Sequence, residues 1–187
     1  IAGAGGFIIK GIGGKAILQH TIEVFQAACP GISVVTVLNP DYIEYWRDYC
    51  LRHNFTCPQI TVAGGITRFH SVRNALDKIP EGAIVAVHDG VRPLVTVPLV
   101  KEMFGKAEEI PALIPVVPCV DTLKVLRKEG DELRTIEGAV ADRSVLYAAQ
   151  TPQVFHSELL KSAYALAYDT LFTDDASVVQ KYGKSLS

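Results

Sequence analysis

Short runs of branched apolar residues alternate along this chain with longer stretches whose apolar positions recur every three or four residues. Ile32 to Leu38, Ile60 to Ala63, Ile84 to Val87 and Ala112 to Val117 have the length and β-branched content of buried strands. Between them, Ala16 to Ala28, Asp41 to about His53, Arg68 to Lys78 and Pro98 to Glu109 carry helical spacing. Ile17, Ile22, Phe25 and Gln26 are placed for one inward face of the first helix, and Asp41 is placed to cap the second. Strand and helix alternate this way only in α/β folds, so the pattern predicts a mostly parallel sheet flanked by helices.

The pattern changes after Pro118. Val120 to Leu126 and Leu133 to Val140 are strand-like and flank Arg127 to Glu132, which contains Gly130. This predicts a β-hairpin arm at about 118–142 projecting from one domain that spans 1–187. Such an arm is ordinarily a surface feature, but it can also exchange across a dimer. Two further helices are expected, at about Ser157 to Tyr168 and Asp174 to Tyr182.

Composition narrows the class. With 49% hydrophobic residues and a net charge of -2, the 187-residue chain builds a full core and has no basic face for nucleic acid. Cys29, Cys50, Cys57 and Cys119 form no C-x-x-C pair and no metal-ligand spacing, which predicts reduced thiols and a cytoplasmic setting. No apolar run reaches the length of a membrane span. The sequence opens inside an apolar strand-like segment, so residues are expected to precede Ile1.

Chemistry concentrates where strands end. Ile84 to Val87 stops abruptly in His88, Asp89, Gly90, Arg92 and Pro93. Ligands of open α/β sheets bind beyond the carboxyl ends of strands, where a lone carboxylate holds a hard cation and an arginine meets an anion. Asp-Gly and Arg-Pro are also ordinary turn chemistry. Three glycine-rich places compete for nucleotide phosphates. Ala2-Gly3-Ala4-Gly5-Gly6 follows an apolar segment and offers backbone N–H groups to an anion. Gly11 to Ala16 satisfies G-x-G-x-x-A, which sustains an NAD-dependent dehydrogenase reading, although Asn39-Pro40 stands where the ribose acid belongs. A tight turn explains Gly13-Gly14 better. Gly64-Gly65, followed by Arg68 and Ser71 one helical turn apart, suits recognition of a base edge; it equally suits a plain helix start.

Four motifs occur in order: G-G-I-T-R-F-H-S-V-R-N-A-L, V-H-D-G-V-R-P, A-D-R-S-V-L-Y-A-A-Q-T-P-Q-V-F and F-T-D-D-A-S-V-V. Together they resemble the 2-C-methyl-D-erythritol 4-phosphate cytidylyltransferases of non-mevalonate isoprenoid synthesis, over nearly the whole chain. The resemblance implies a Rossmann-like nucleotidyltransferase and a homodimer with an exchanged arm. It also implies CTP as substrate, Mg2+ as the divalent cation and release of pyrophosphate. Residue by residue, it makes Ala2, Gly3, Ala4 and Gly5 remains of the triphosphate loop, and gives cytosine recognition to Gly65 and Ser71, with Arg68 shaping their loop. Asp89 would sit by the metal with Arg92 beside it. Arg143, Thr151, Thr122 and Thr173 would line the polyol-phosphate pocket, and catalysis would rest on Asp89 and Arg143.

Two departures stand out. The family pattern runs from the glycine loop through an arginine to P-K-Q, whereas Gly6 here is followed at once by Phe7. The family also continues into a segment ending N-I-K. Both segments are expected to belong to the protein, the first between Gly6 and Phe7 and the second after Ser187; an intact mass close to 20.3 kDa, or an ordinary peptide bond joining Gly6 to Phe7, would refute this. If they do not, a non-catalytic nucleotide-binding module becomes the reading. The nearest alternative substrate is ribitol 5-phosphate. His20 and His53 are read as ordinary helix residues, His156 as a helix-start residue and His88 as a packed histidine at a strand end, with Asp174-Asp175 a charge feature of a helix N-terminus.

Overall fold

The computed structural model describes residues 11–187, and the Ala2 to Gly6 loop lies outside them. Two compact units are present: residues 11–114 with 151–187, and residues 115–150.

In the first unit, β1 (Gly11–Ile12) and β2 (Lys15–Ala16) form a two-residue hairpin, with Gly11 opposite Ala16 and Ile12 opposite Lys15. Gly13 and Gly14 turn it at φ of 59° and 84°, a left-handed pair that only glycine adopts cheaply. The glycines of the dinucleotide-like pattern therefore serve a tight turn. Helix α1 (Ile17–Ala28) follows at once. It buries Leu18, Ile22, Phe25 and Ala28, while Ile17 and Gln26 stay half-exposed, so its inward face starts one position later than the spacing suggested.

β3 (Val34–Leu38) pairs in parallel with β4 (Gln59–Ala63) through a 3-10 turn (Pro40–Tyr42) and α2 (Ile43–Arg52). The cap here is Asn39, whose side chain accepts from the Asp41 amide at 2.9 Å. Asp41 is not the cap, because Pro40 already starts the turn and leaves Asp41 inside it. Trp46 and Tyr49 of α2 join Leu18, Ile22 and Leu38 in one apolar cluster. Their polar tips are satisfied inside it: Trp46 Nε1 donates to Gln59 at 2.9 Å and Tyr49 donates to Gln19 at 2.7 Å.

α3 (Arg68–Leu76), β5 (Ile84–Val87), α4 (Val97–Ala107) and β6 (Ala112–Leu113) come next. The strand β11 (Gln153–His156) then inserts between β5 and β6, antiparallel to both. β5 and β6 thus run the same way, as a βαβ unit requires, with one reversed strand between them. Alternation along these strands covers both faces. Val154, Ile84 and Ala86 pack with Met103 and Ala107 of α4. Phe155, Val85 and Val87 pack with α3, with α5 (Ser157–Tyr164) and with α6 (Asp175–Lys181). This is the period-two pattern of a sheet sandwiched by helices.

α6 is closed by a capping box. Asp174 accepts from the Ser177 amide at 2.8 Å, while the Ser177 hydroxyl accepts from the Asp174 amide at 3.2 Å. Asp174→Ala is expected to cost about 1 kcal/mol, read as a lower urea midpoint with an unchanged slope.

The second unit holds β7 (Val116–Pro118) against β10 (Tyr147–Ala149), and a hairpin of β8 (Leu126–Glu129) and β9 (Glu132–Thr135). The apolar run expected as one strand over Ala112 to Val117 is therefore two, β6 and β7, each in a different unit. The hairpin ladder also differs from expectation. It runs through Leu126 to Thr135 and turns at Gly130, so residues expected as the loop form the strands. Every residue from Val116 to Val140 except Val120's neighbour Cys119 is exposed, and hydrophobic patterning does not set a register that buries nothing. Arg134 reaches Glu129 at 3.2 Å across this ladder.

Candidate active site

Four segments distant in sequence meet at one edge of the first unit. β4 ends in Gly64 and Gly65. The Gly64 amide donates to the Leu38 carbonyl at 2.7 Å, and the Gly65 amide donates to the Ser71 hydroxyl at 3.0 Å. The Ser71 hydroxyl in turn donates to the Thr67 carbonyl at 2.9 Å, so a buried serine ties the loop to the first turn of α3. A Cβ on Gly65 would collide with His70, which explains glycine at that position. Thr67 caps α3, and Arg68 is its first residue.

β5 delivers Asp89 beside that turn. One carboxylate oxygen lies 3.0 Å from Arg92 Nε and the other 3.8 Å from Arg68 Nε. The Asp89 amide donates to the Thr151 hydroxyl at 3.5 Å, which brings in the segment before β11. His88 packs on the Phe25 ring with centroids 5.2 Å apart, and its Nε2 meets the Arg92 carbonyl at 3.0 Å. Burial pushes the imidazole below its ordinary pKa, against the opposing pull of that hydrogen bond and of Asp89. A neutral, packed histidine fits these surroundings.

The fourth segment is the start of α6. Asp175 is fully buried; Arg68 Nη1 donates to its Oδ1 at 2.9 Å, and Nη2 donates to Oδ2. The Tyr164 hydroxyl adds a bond to Oδ1 at 2.5 Å. Burial alone would lower the pKa of Arg68, but the Asp175 carboxylate outweighs it and raises it, so the guanidinium stays charged. Burial, then Asp175, push the Tyr164 hydroxyl well above its ordinary range. Gln153 completes the corner, donating to Asp174 at 2.7 Å and accepting from the Ala176 amide at 2.9 Å.

The structure therefore brings Gly65, Arg68, Ser71, Asp89, Arg92 and Thr151 together within one unit. Thr173 lies beside this corner in sequence, exposed, with its amide donating to Ser177 at 3.1 Å. Thr122 and Arg143 belong to the second unit. There Arg143 opens a 3-10 turn (Arg143–Val145) and donates to the Val120 carbonyl at 3.5 Å, and Thr122 is exposed. Asp175, Tyr164 and Gln153 were not among the site residues expected from the sequence. Asp174 caps α6 and Asp175 stands in its first turn, the helix-terminus feature expected, and Asp175 pairs with Arg68 as well. The signal lay in the third and fourth motifs, where Gln153 and Asp175 sit beside the residues that were named.

A hard cation fits this corner only if a substrate brings oxygens with it. Asp89 supplies one partly exposed carboxylate, and among the described residues no cluster of three His, Cys, Asp or Glu side chains is poised to hold a metal. Magnesium commonly takes one or two carboxylates and completes its shell with phosphates and water. The donor set is compatible with that arrangement. Among the described residues no helix is long and apolar enough to cross a membrane.

Comparison with known proteins agrees with this geometry. The profile of 2-C-methyl-D-erythritol 4-phosphate cytidylyltransferases matches residues 8–187. The protein of that name from Bacteroides thetaiotaomicron is 40% identical over 172 residues, covering 92% of this chain and 75% of that protein. The Bacillus velezensis protein of the same name is 36% identical, covering 90% of this chain and 71% of its own length. A crystal structure of 4-diphosphocytidyl-2C-methyl-D-erythritol synthase superimposes with a TM-score of 0.77 at 30% identity, covering 96% of this chain and 81% of that one. With the profile spanning almost every residue that builds the fold and the Asp89 corner, the chain belongs to the 2-C-methyl-D-erythritol 4-phosphate cytidylyltransferase family of nucleotidyltransferases.

Proposed function

We propose that this protein transfers CMP from CTP to 2-C-methyl-D-erythritol 4-phosphate and releases pyrophosphate. The observation that carries the reading is the convergence of the Gly65 loop, Arg68, Asp89 and Thr151 at one strand edge in a chain of this family. A phosphate oxygen of the polyol substrate attacks the α-phosphorus of CTP in line. The new P–O bond forms as the bond to the bridging oxygen of the leaving pyrophosphate breaks. Chemistry of this kind asks the protein for positioning and charge neutralisation rather than covalent participation.

The Gly64–Gly65 loop holds the cytosine through backbone groups, with Ser71 bracing it from the first turn of α3. Asp89 would hold a divalent cation, with magnesium the natural choice, and that ion would neutralise charge on the phosphates. Arg92 and Thr151 border the substrate beside Asp89, and Thr173 extends that border. Arg143 and Thr122 from the arm of a second copy contribute to the polyol-phosphate pocket. The glycine segment Ala2 to Gly5 belongs to the triphosphate in this reading. Gly65→Ala is expected to raise the CTP KM about ten- to hundredfold, because the Cβ pushes the loop off His70, while the polyol-phosphate KM stays within about twofold.

The chain acts as a homodimer through its arm, a cytoplasmic enzyme with its site completed by a second copy. What supports this is the exposed apolar surface of residues 115–150, where Val120, Leu133, Val140 and Val145 are 81%, 68%, 86% and 71% exposed. Sedimentation at micromolar concentration is expected to give about twice the chain mass, and a monomer would refute the assignment.

Pyrophosphate release tests the reaction itself. With CTP and magnesium, turnover is expected with methylerythritol phosphate and not with ribitol 5-phosphate. The reverse preference would keep the mechanism and overturn the substrate.

A further inference from the structure

We propose that Asp175 is a positioning residue for the nucleotide site: it claims the Arg68 guanidinium and so keeps the Asp89 carboxylate available to a cation. This rests on the nucleotidyl-transfer reading of the Asp89 corner.

Arg68 stands between two carboxylates. Its two terminal nitrogens face Asp175, one of them at 2.9 Å, while its Nε edge lies 3.8 Å from Asp89. The planar fork of a guanidinium matches one carboxylate face to face, so commitment to Asp175 leaves Asp89 only the longer, weaker contact. Asp175 is the better competitor because it is fully buried and held by Tyr164 at 2.5 Å. Its own position is fixed on both sides, since Asp174 caps α6 and Gln153 binds the Ala176 amide at 2.9 Å. The same arginine begins α3, whose first turn holds the Gly65 loop through Thr67 and Ser71. One buried charge thereby sets both the base-reading loop and the electrostatic balance at Asp89. Without the Asp175 charge, Arg68 turns its fork to Asp89 and competes with the metal.

The test uses the full-length protein and three measurements: magnesium dependence of the rate, calorimetric binding of CTP with magnesium, and a crystal structure. Asp175→Asn keeps the side-chain shape and removes the charge. It is expected to raise the magnesium concentration for half-maximal rate at least tenfold, weaken CTP binding at least tenfold, and show Arg68 bonded to Asp89. Adding Arg68→Met to Asp175→Asn removes the competitor, and is expected to return the magnesium requirement to within twofold of wild type. A merely structural role predicts no such rescue. If Asp175→Asn does not fold, Arg68→Met/Asp175→Leu removes both charges together and is expected to fold. That pair is expected to keep the wild-type magnesium requirement and bind CTP at least tenfold more weakly; wild-type CTP binding would overturn the proposal. An active wild type with an unchanged Asp175→Asn refutes this proposal alone. A wild type that releases no pyrophosphate refutes the reading on which it rests.

Discussion

Asp89→Asn is expected to lower pyrophosphate release about a thousandfold while leaving the protein folded. The substitution removes one negative charge from a corner that already holds two guanidinium groups, Arg92 at 3.0 Å and Arg68 at 3.8 Å. Asparagine would offer a divalent cation only a neutral carbonyl, a far weaker hard-oxygen ligand than a carboxylate. Arg68 and Arg92 then face each other with no carboxylate between them, so the site loses its negative pole as well as its ligand. Folding is spared because the Asp89 side chain is 21% exposed and belongs to none of the apolar clusters. Steady-state kinetics with saturating CTP, alongside a thermal melt, make the check. A folded variant that keeps its rate would remove Asp89 from the mechanism.

The largest effect on stability is expected one helix away. Asp175→Ala should cost about 3–5 kcal/mol, measured by urea unfolding. It leaves the Arg68 guanidinium with Asp89 alone, 3.8 Å from its Nε, and the Tyr164 hydroxyl without its acceptor. Replacing both partners, Arg68→Met with Asp175→Leu, is expected to cost clearly less than Asp175→Ala, because no uncompensated charge remains and only the Tyr164 hydroxyl loses its partner. The neighbouring Asp174→Ala costs several times less than Asp175→Ala. Two adjacent aspartates thus differ in what they do: one satisfies a backbone amide that water would otherwise serve, and the other is a fully buried charge that depends on its arginine partner. Equal effects at the two positions would contradict this division.

That contrast also explains what the sequence could disclose. Asp174 announces itself locally, because an acid three residues before a serine is a helix-start pattern, and the capping box follows from it. Asp175 has no such local sign; its partner lies 107 residues away, and only the folded chain joins them. Asp89 was legible because it ends a four-residue apolar run, where sheets of this class place ligands. The strands and helices of the first unit were legible because each has an inward face, as Val154 and Phe155 show by packing on opposite sides of one strand. In the second unit the same reasoning slipped by several residues. Val120 and Val125 drew the expected strands toward themselves, but the ladder formed between Leu126 and Thr135 in a segment with no core to align it. The capping role given to Asp41 failed for a related reason, since Asn39 sits just ahead of Pro40 and a proline-started turn puts its cap first.

The order in which the sheet is completed bears on synthesis at the ribosome. β11 is the middle strand of the β5–β11–β6 sheet, yet it is made after both of its neighbours. A nascent chain that has reached residue 150 therefore carries β5 and β6 with the strand that joins them still to come. The acid that secures Arg68 emerges 25 residues later still. Contacts of such long sequence separation form late, so the carboxylate corner is assembled only as translation of this region ends. Truncated products that stop short of α6 are expected to compete poorly for CTP, and quality control of this enzyme is in part written into its strand order.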